Sequence, residues 1–467
     1  MSIFDRLRKQ PVQMPIWADK QLWAGVAAEL RATAPNGTVS TTSSGRISRS
    51  GWGGRAPNDT DDTGKCISRN RGREDVKSIA TIMGDDSICY EINVTGKSAT
   101  VHIVQETPGL RLWDGPQEIV RVEGAVPQPY RRAPVRYPAT ISPHADPQAV
   151  SDLVSALLPD AQPVSDEEIA EVEAQWGVTL TQEVRALYEA AASGDLIKHI
   201  PLPTDTDDDV VEEDDAGYYM HITPLADKNR QYPGGFPYPW CYSATEIFLD
   251  PHGRVQNLGY SPGWIQIGDD WGGNLFLVDL IPGPNGNVGQ VLFSDHEQCG
   301  GADWVANSLA EFFALDNRYP TEQLNSDWRD QGVRGKYRLR VGGDCTLDEL
   351  SDTTEVLIIN GTGMTDLKPI LGHPQLRSVK ITANVTSLEV LATLPSLEWL
   401  SMSYADWTTL LDMDAFPPTL MAAGFPDADH LEPAMAVVNR IRTAWGQDPC
   451  PVLTVDIPDS LIRQATT

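Results

Sequence analysis

Hydrophobic positions in the first third of the chain change from a helical to a strand-like period. From Lys20 to Ala32 (KQLWAGVAAELRA), Leu22, Val26 and Leu30 fall on one helical face. Asn36 to Arg73 carries Gly, Ser, Thr and Arg with few large apolar residues, which predicts a mobile loop. Alternating runs follow at Ile88–Val94, Ala99–Gln105 and Ile119–Val122, with a break at Thr95-Gly96. They predict a small antiparallel sheet. Residues 1–140 are therefore read as a small N-terminal α+β domain of no assignable family. Pro- and Ala-containing sequence from Arg132 to Pro147 leads into a linker expected at 141–163.

The middle of the chain has sharper punctuation. Ser165 to Glu168 (SDEE) is a capping box, in which Ser165 accepts from the third helical N–H and Glu168 reaches back. The following helix places Ile169, Val172 and Trp176 on one face and ends at Gly177; a second helix carries Val184, Leu187 and Tyr188. Farther on, Trp264 to Asn274 (WIQIGDDWGGN) runs into Leu275 to Asp279 (LFLVD). Gly272 and Gly273 permit positive φ where the chain turns into a strand, and Asn274 can satisfy the turn backbone. A Gly/Pro/Asn loop from Pro282 to Asn287 predicts a tight hairpin into Val288–Phe293, followed by Ser294 to Glu297 (SDHE). Leu275, Leu277, Val291 and Phe293 supply an apolar sheet face, and Trp304–Leu315 reads as a closing helix.

A third pattern begins after Tyr337. Leu376, Leu397 and Leu420 head successive Leu-x-x-apolar-x-apolar segments, and Val356 and Ile358 belong to an earlier copy. This spacing is that of leucine-rich repeats, so residues 337–467 are expected to form a short leucine-rich-repeat-like solenoid. Alternate positions, Ser378, Lys380, Thr382, Trp399, Ser401 and Ser403, are expected on its open concave face. Leu431–Trp445 is expected to cap it.

Length and composition set limits. A chain of 467 residues predicts two to four domains, and 41% hydrophobic content suffices for their cores. No apolar run is long enough to span a membrane, and the first twenty residues do not read as a signal peptide. Six scattered cysteines lack zinc-ligand spacing, so reduced thiols, a cytoplasmic location and no cofactor are expected.

Charge is unevenly placed. Residues 1–140 hold 19 Lys+Arg and 15 Asp+Glu, so the rest holds the other 17 basic and 50 acidic residues, a net of −33. Such a body repels nucleic acid and attracts basic partners. Eight carboxylates crowd one insertion: Asp205, Asp207, Asp208, Asp209, Glu212, Glu213, Asp214 and Asp215. Their order is not that of a calcium loop. A solvated run is the plain reading; a loop that docks on a basic groove is the sharper one. Tyr218, Tyr219, Tyr232, Phe236, Tyr238, Trp240 and Tyr242 follow, suited to packing or to interface anchoring. Arg46, Arg49, Arg55, Arg69, Arg71 and Arg73 are interrupted by acids and accompanied by Trp52 alone, a weak case for nucleic acid. Asp269, Asp270, Asp279, Asp295 and His296 could in principle hold a divalent ion, but no nucleophile with an orienting base is specified. His221 and His252 have no partner at a diagnostic spacing.

The two helices around Gly177 and the WIQIGDDWGGN…LFLVD…GQVLFSDH order resemble the SMI1/KNR4 (SUKH) family. The resemblance covers 164–318, with the acidic insertion at 204–215. Trp271 departs from the family pattern, which commonly has Gly or a small residue there. The whole chain is thus expected to be an α+β multi-domain protein with a central SUKH-type α+β domain. What the resemblance implies is recognition: bacterial members are immunity proteins that neutralise toxin domains, often nucleases, and fungal members resemble scaffolds in cell-wall signalling. A non-catalytic protein gripping a basic toxin domain encoded nearby is therefore expected, with a regulatory scaffold as the alternative. An enzyme sited in residues 1–140 is a third, weaker expectation. The expected docking residues are the eight acids with Trp240, Trp264, Asp269, Asp270, Trp271, Asn274, Asp279, Asp295 and His296, joined by Lys380 and Trp399 on the repeats.

Overall fold

The computed structural model describes residues 15–33, 40–48, 51–55, 79, 87–107, 109–112, 116–200, 216–225, 240–244, 250, 252–296, 300–315, 338–342, 346–426 and 431–465. Helix and sheet are mixed throughout, as in an α+β multi-domain fold. The chain divides into two compact units, one of residues 1–125, 360–372 and 380–467, the other of 126–359 and 373–379. The expected order of three consecutive domains is replaced by a unit in which the chain's two ends fold together.

In the first unit, an antiparallel sheet runs in space through Gly51–Arg55, Ser40–Ser48, Ser87–Thr95, Ser98–Gln105 and Leu453–Pro458. Ile47, Ile88, Tyr90, Ile92, Val101 and Ile103 bury one face against Trp23, Val26, Ala27 and Leu30 of the helix Lys20–Thr33. Two of these strands lie inside the stretch read as a mobile loop. Gly and Ser pair through their backbones without supplying an apolar period, so the alternation that marks a strand was missing.

The last strand explains why residues 1–140 do not close a domain alone. Leu453–Pro458 pairs antiparallel with Ser98–Gln105, placing Leu453 opposite Ile103 and Ile457 opposite Ala99. Val455 and Ile457 enter the same core, and Arg31 meets Asp459 at 2.6 Å. Glu91, buried on a central strand, accepts the Leu431 N–H at 2.7 Å at the start of the helix Leu431–Ala444.

Farther along this unit lie short parallel pairings: Met364–Asp366 with Asn384–Thr386, and Trp399–Ser401 with Ala422–Gly424. Lys368–Ile370 and Leu388–Thr393 form 3-10 turns. Pro116–Val120 joins antiparallel beside Ala422–Gly424. Leu388, Leu391, Leu394, Leu397 and Leu400 are buried, as their spacing requires.

In the second unit, three helices, α1 (Pro147–Leu157), α2 (Asp166–Trp176) and α3 (Gln182–Ala190), precede a six-stranded antiparallel meander. Its strands are β1 (Gly194–Ile200), β2 (Ala216–Ile222), β3 (Trp264–Asp269), β4 (Leu275–Asp279), β5 (Gln290–Ser294) and β6 (Asp303–Ala306). Helix α4 (Leu309–Ala314) follows the last strand of the meander. The capping box at Ser165 and Glu168 forms, and Gly177 ends α2 at φ +66°, a left-handed conformation open to glycine at little cost.

Helix α1 occupies the expected linker. Asp146 caps it, and Val150 and Val154 are fully buried among Val184, Leu187 and Phe312. Strand β6 takes the first turns of the expected closing helix. That helix starts only at Leu309, where Ser308 accepts the Glu311 N–H. Glu183, buried in α3, holds both helix starts: one oxygen accepts from the Asp146 and Ala310 N–H groups, the other from Leu309.

Beyond the meander, Arg338–Val341 and Val356–Ile359 pair in parallel. Glu355 accepts from Arg132 at 2.7 Å and from buried Arg377 at 2.9 Å, and Arg377 also donates to the Ala244 carbonyl.

Candidate functional site

The turn between β3 and β4 is built around Asp270. One carboxylate oxygen accepts the Gly272 and Asn274 N–H groups at 2.8 and 3.0 Å; the other accepts the Asn274 side-chain amide at 2.6 Å. Asp269 accepts the Trp271 N–H at 3.0 Å. Two neighbouring carboxylates thereby fold one short turn in the way their side chains favour. The freed Asn274 oxygen then takes the His296 backbone N–H at 2.9 Å and lies 2.8 Å from its ring Nδ1. Gly273 sits at φ +103°, and a Cβ there would come within 3.1 Å of the His296 ring.

Trp271 crowns this turn with 67% of its surface exposed and φ at +59°. A bulky residue in left-handed backbone is uncommon and carries strain of about 1 kcal/mol or more. The conformation explains the small residue that the resemblance leads one to expect at this position. The Trp271 indole N–H donates to Asp195 on β1 at 3.3 Å, and His221 on β2 meets the same oxygen through Nδ1 at 2.7 Å. The His221 and Trp271 ring centroids lie 4.7 Å apart. Strand pairing makes this meeting possible, since His221 lies opposite both Asp195 and Asp269.

Asp195 and His221 are the residues that sequence spacing missed. They stand 26 positions apart, and only the β1–β2 pairing brings them together. His221 therefore has a partner after all. His252 contributes its backbone carbonyl to Asn285.

Of the expected docking residues, Asp269, Asp270, Trp271, Asn274 and His296 converge on this turn, and half-buried Asp295 adjoins His296. Trp240 and Trp264 do not reach solvent; both are buried. Asp279 is fully buried at the far end of β4, opposite Trp264 and Gln290. It therefore cannot join Asp269, Asp270 and His296 in an ion site. Among the described residues no three His, Cys, Asp or Glu side chains gather as metal ligands. Burial pushes the Asp279 carboxyl up to about 7, against the Ile281 N–H and the Gln290 amide, which favour the anion. Asp205, Asp207, Asp208, Asp209, Glu212, Glu213, Asp214 and Asp215 lie outside the described residues.

Lys380 and Trp399 belong to the first unit. Lys380 is half-buried, but Trp399 is only 1% exposed, and Ser401 beside it is buried too. Both pack at Gly424 on the adjacent strand, where a Cβ would lie 2.8 Å from Ser401 and 3.2 Å from the Trp399 ring. That strand face is packed core, so Trp399 is no contact residue. Ser378, also expected in the open, is buried.

Residues 163–315 match the family described as SMI1 / KNR4 (SUKH-1), and this stretch is a SUKH-1 domain. Three curated relatives are fungal. The cell wall biosynthesis/cell cycle regulator smi1 of Schizosaccharomyces pombe is 42% identical over 65 residues, 14% of this chain and 13% of that protein. The glucan synthesis regulatory protein of Neurospora crassa is 39% identical over 70 residues, 14% and 12% of the two chains. The KNR4/SMI1 homolog of Yarrowia lipolytica is 38% identical over 76 residues, 16% and 10%. Each match thus spans 13% or less of the relative's length. No helix among the described residues is long and apolar enough to cross a membrane.

Proposed function

We propose, from the SUKH-1 domain at 163–315, that this chain is a non-catalytic cytoplasmic binding protein that grips a protein partner at the Trp271 surface. The carrying observation is the mounting of Trp271: 67% exposed, on backbone suited to glycine, and held by Asp269 and Asp270. An exposed, rigidly held aromatic residue makes an interface anchor, because little ordering is left to complete on binding. Covalent catalysis would require a nucleophile within reach of a base. The Asp195–His221 contact is that of a base and its orienter, but the group beside it is an unreactive indole.

The net charge of −33 over residues 141–467 favours a basic partner, such as the nuclease-type toxin domain that an immunity protein neutralises. The names of the fungal relatives, all of regulators or their homologues, favour a second reading, a regulatory scaffold.

Affinity capture from the native host separates the two. Full-length protein is compared with a Trp271→Gly variant and with one whose residues 205–215 are neutralised. One basic protein encoded beside this gene, released by salt, supports neutralisation. A set of cell-wall or signalling proteins supports the scaffold. Unchanged capture by Trp271→Gly overturns the docking surface in both readings.

A further inference from the structure

We propose that the Trp271 surface receives a cationic side chain of the partner, arginine in particular, laid on the indole and paired with the surrounding carboxylates. The inference rests on the docking reading above and gives it a chemistry. His221 tilts against the ring at 4.7 Å, and with 67% of the residue exposed the remaining ring surface faces solvent. The indole N–H is directed at Asp195, whose side chain is 49% exposed, so the ring edge and a carboxylate share one patch. Asp269 and Asp270 flank the same turn and are half-buried.

Three classes of contact compete for such a patch. A purely apolar knob would take water from the carboxylates and bring no compensating charge, and desolvating charge in that way is costly. An acidic group is repelled by Asp195, Asp269 and Asp270. A guanidinium suits both features, because its planar face stacks on an indole while its fork donates to a carboxylate. Lysine offers a point charge and loses the stacking. The acidic charge of the chain beyond residue 140 steers a basic segment toward the patch before any contact forms.

The test uses fluorescently labelled peptides of alternating glycine with arginine, lysine or glutamate, titrated against full-length protein at low and physiological salt. The arginine peptide is expected to bind tightest and the glutamate peptide not at all. Trp271→Gly leaves net charge unchanged, yet is expected to weaken the arginine peptide by about tenfold at physiological salt. A urea midpoint at or above wild type confirms that this variant folds. Equal arginine affinity in wild type and Trp271→Gly overturns the proposal, because binding would then be generic attraction to an acidic body. Captured partner lost from Trp271→Gly with peptide affinity unchanged would leave the docking surface standing and sink the cationic chemistry. Capture and peptide binding both unchanged would sink both.

Discussion

At the residue scale, two side chains sit where their own preferences are overruled. Trp271 at φ +59° would be relieved by glycine, so Trp271→Gly should leave the urea midpoint unchanged or raise stability by up to about 1 kcal/mol. A large loss of stability would show that the indole holds the fold together. Asp279 is the opposite case, a carboxyl kept from water with its folded value raised to about 7 from 3.8. Between those pH values the unfolded chain has released a proton that the folded chain still holds. Stability from this group is therefore complete at low pH and declines as pH rises from about 4 to about 7. Denaturation across that range should show a shallower decline for Asp279→Asn than for wild type. The slope is the readout, because the new amide also meets the Gln290 amide and lowers stability at every pH. Parallel slopes would show that Asp279 does not titrate in this window.

At the scale of elements, buried charges tie distant segments together. Glu183 accepts three backbone N–H groups at the starts of α1 and α4, donors that a helix cannot satisfy internally. Glu183→Ala should cost about 3 kcal/mol, and Glu183→Gln less, because it keeps an acceptor. Circular dichroism melts would check this; near-identical melting of all three proteins would mean that water replaces the carboxylate freely. Glu355 similarly holds Arg132 and Arg377, the latter's side chain only 5% exposed. Glu355→Ala leaves a buried guanidinium without its carboxylate and should destabilise by about 3–5 kcal/mol, read from urea denaturation. None of these ties was legible beforehand. Glu183 and Leu309 lie 126 positions apart, and an isolated glutamate in a helical pattern reads as a solvated charge.

For the whole molecule, the consequential finding is that the two ends of the chain share one sheet and one core. Removing residues 451–465 would strip Leu453–Pro458 from the edge of Ser98–Gln105 and expose Val101 and Ile103. An unprotected apolar edge pairs with other chains, so the truncated protein should aggregate or lose amide protection along Ser87–Gln105. Hydrogen exchange and size-exclusion chromatography would report it. A monomeric truncated protein with native protection would show that the N-terminal strands close by themselves.

Local chemistry decided what the sequence could reveal. The capping box at Ser165, the stop at Gly177 and the spaced leucines each depend on neighbours within a few residues, so they could be read directly. The turn carrying Asp269, Asp270, Trp271 and Asn274 was legible for the same reason, and the SUKH-1 domain with it. The sheet face expected from Leu275, Leu277, Val291 and Phe293 is corrected, because the register pairs Phe276 with Phe293 and Leu277 with Leu292 and so turns Leu275 and Leu277 away from Val291 and Phe293. Tertiary structure decided which aromatics are buried, with Trp240, Trp264 and Trp399 in packed interiors and Trp271 in solvent. It also brought Asp195 to His221, and placed the final strand beside an N-terminal one. Burial and long-range pairing depend on what the rest of the chain lays across a position, and no local pattern of polar and apolar residues encodes that.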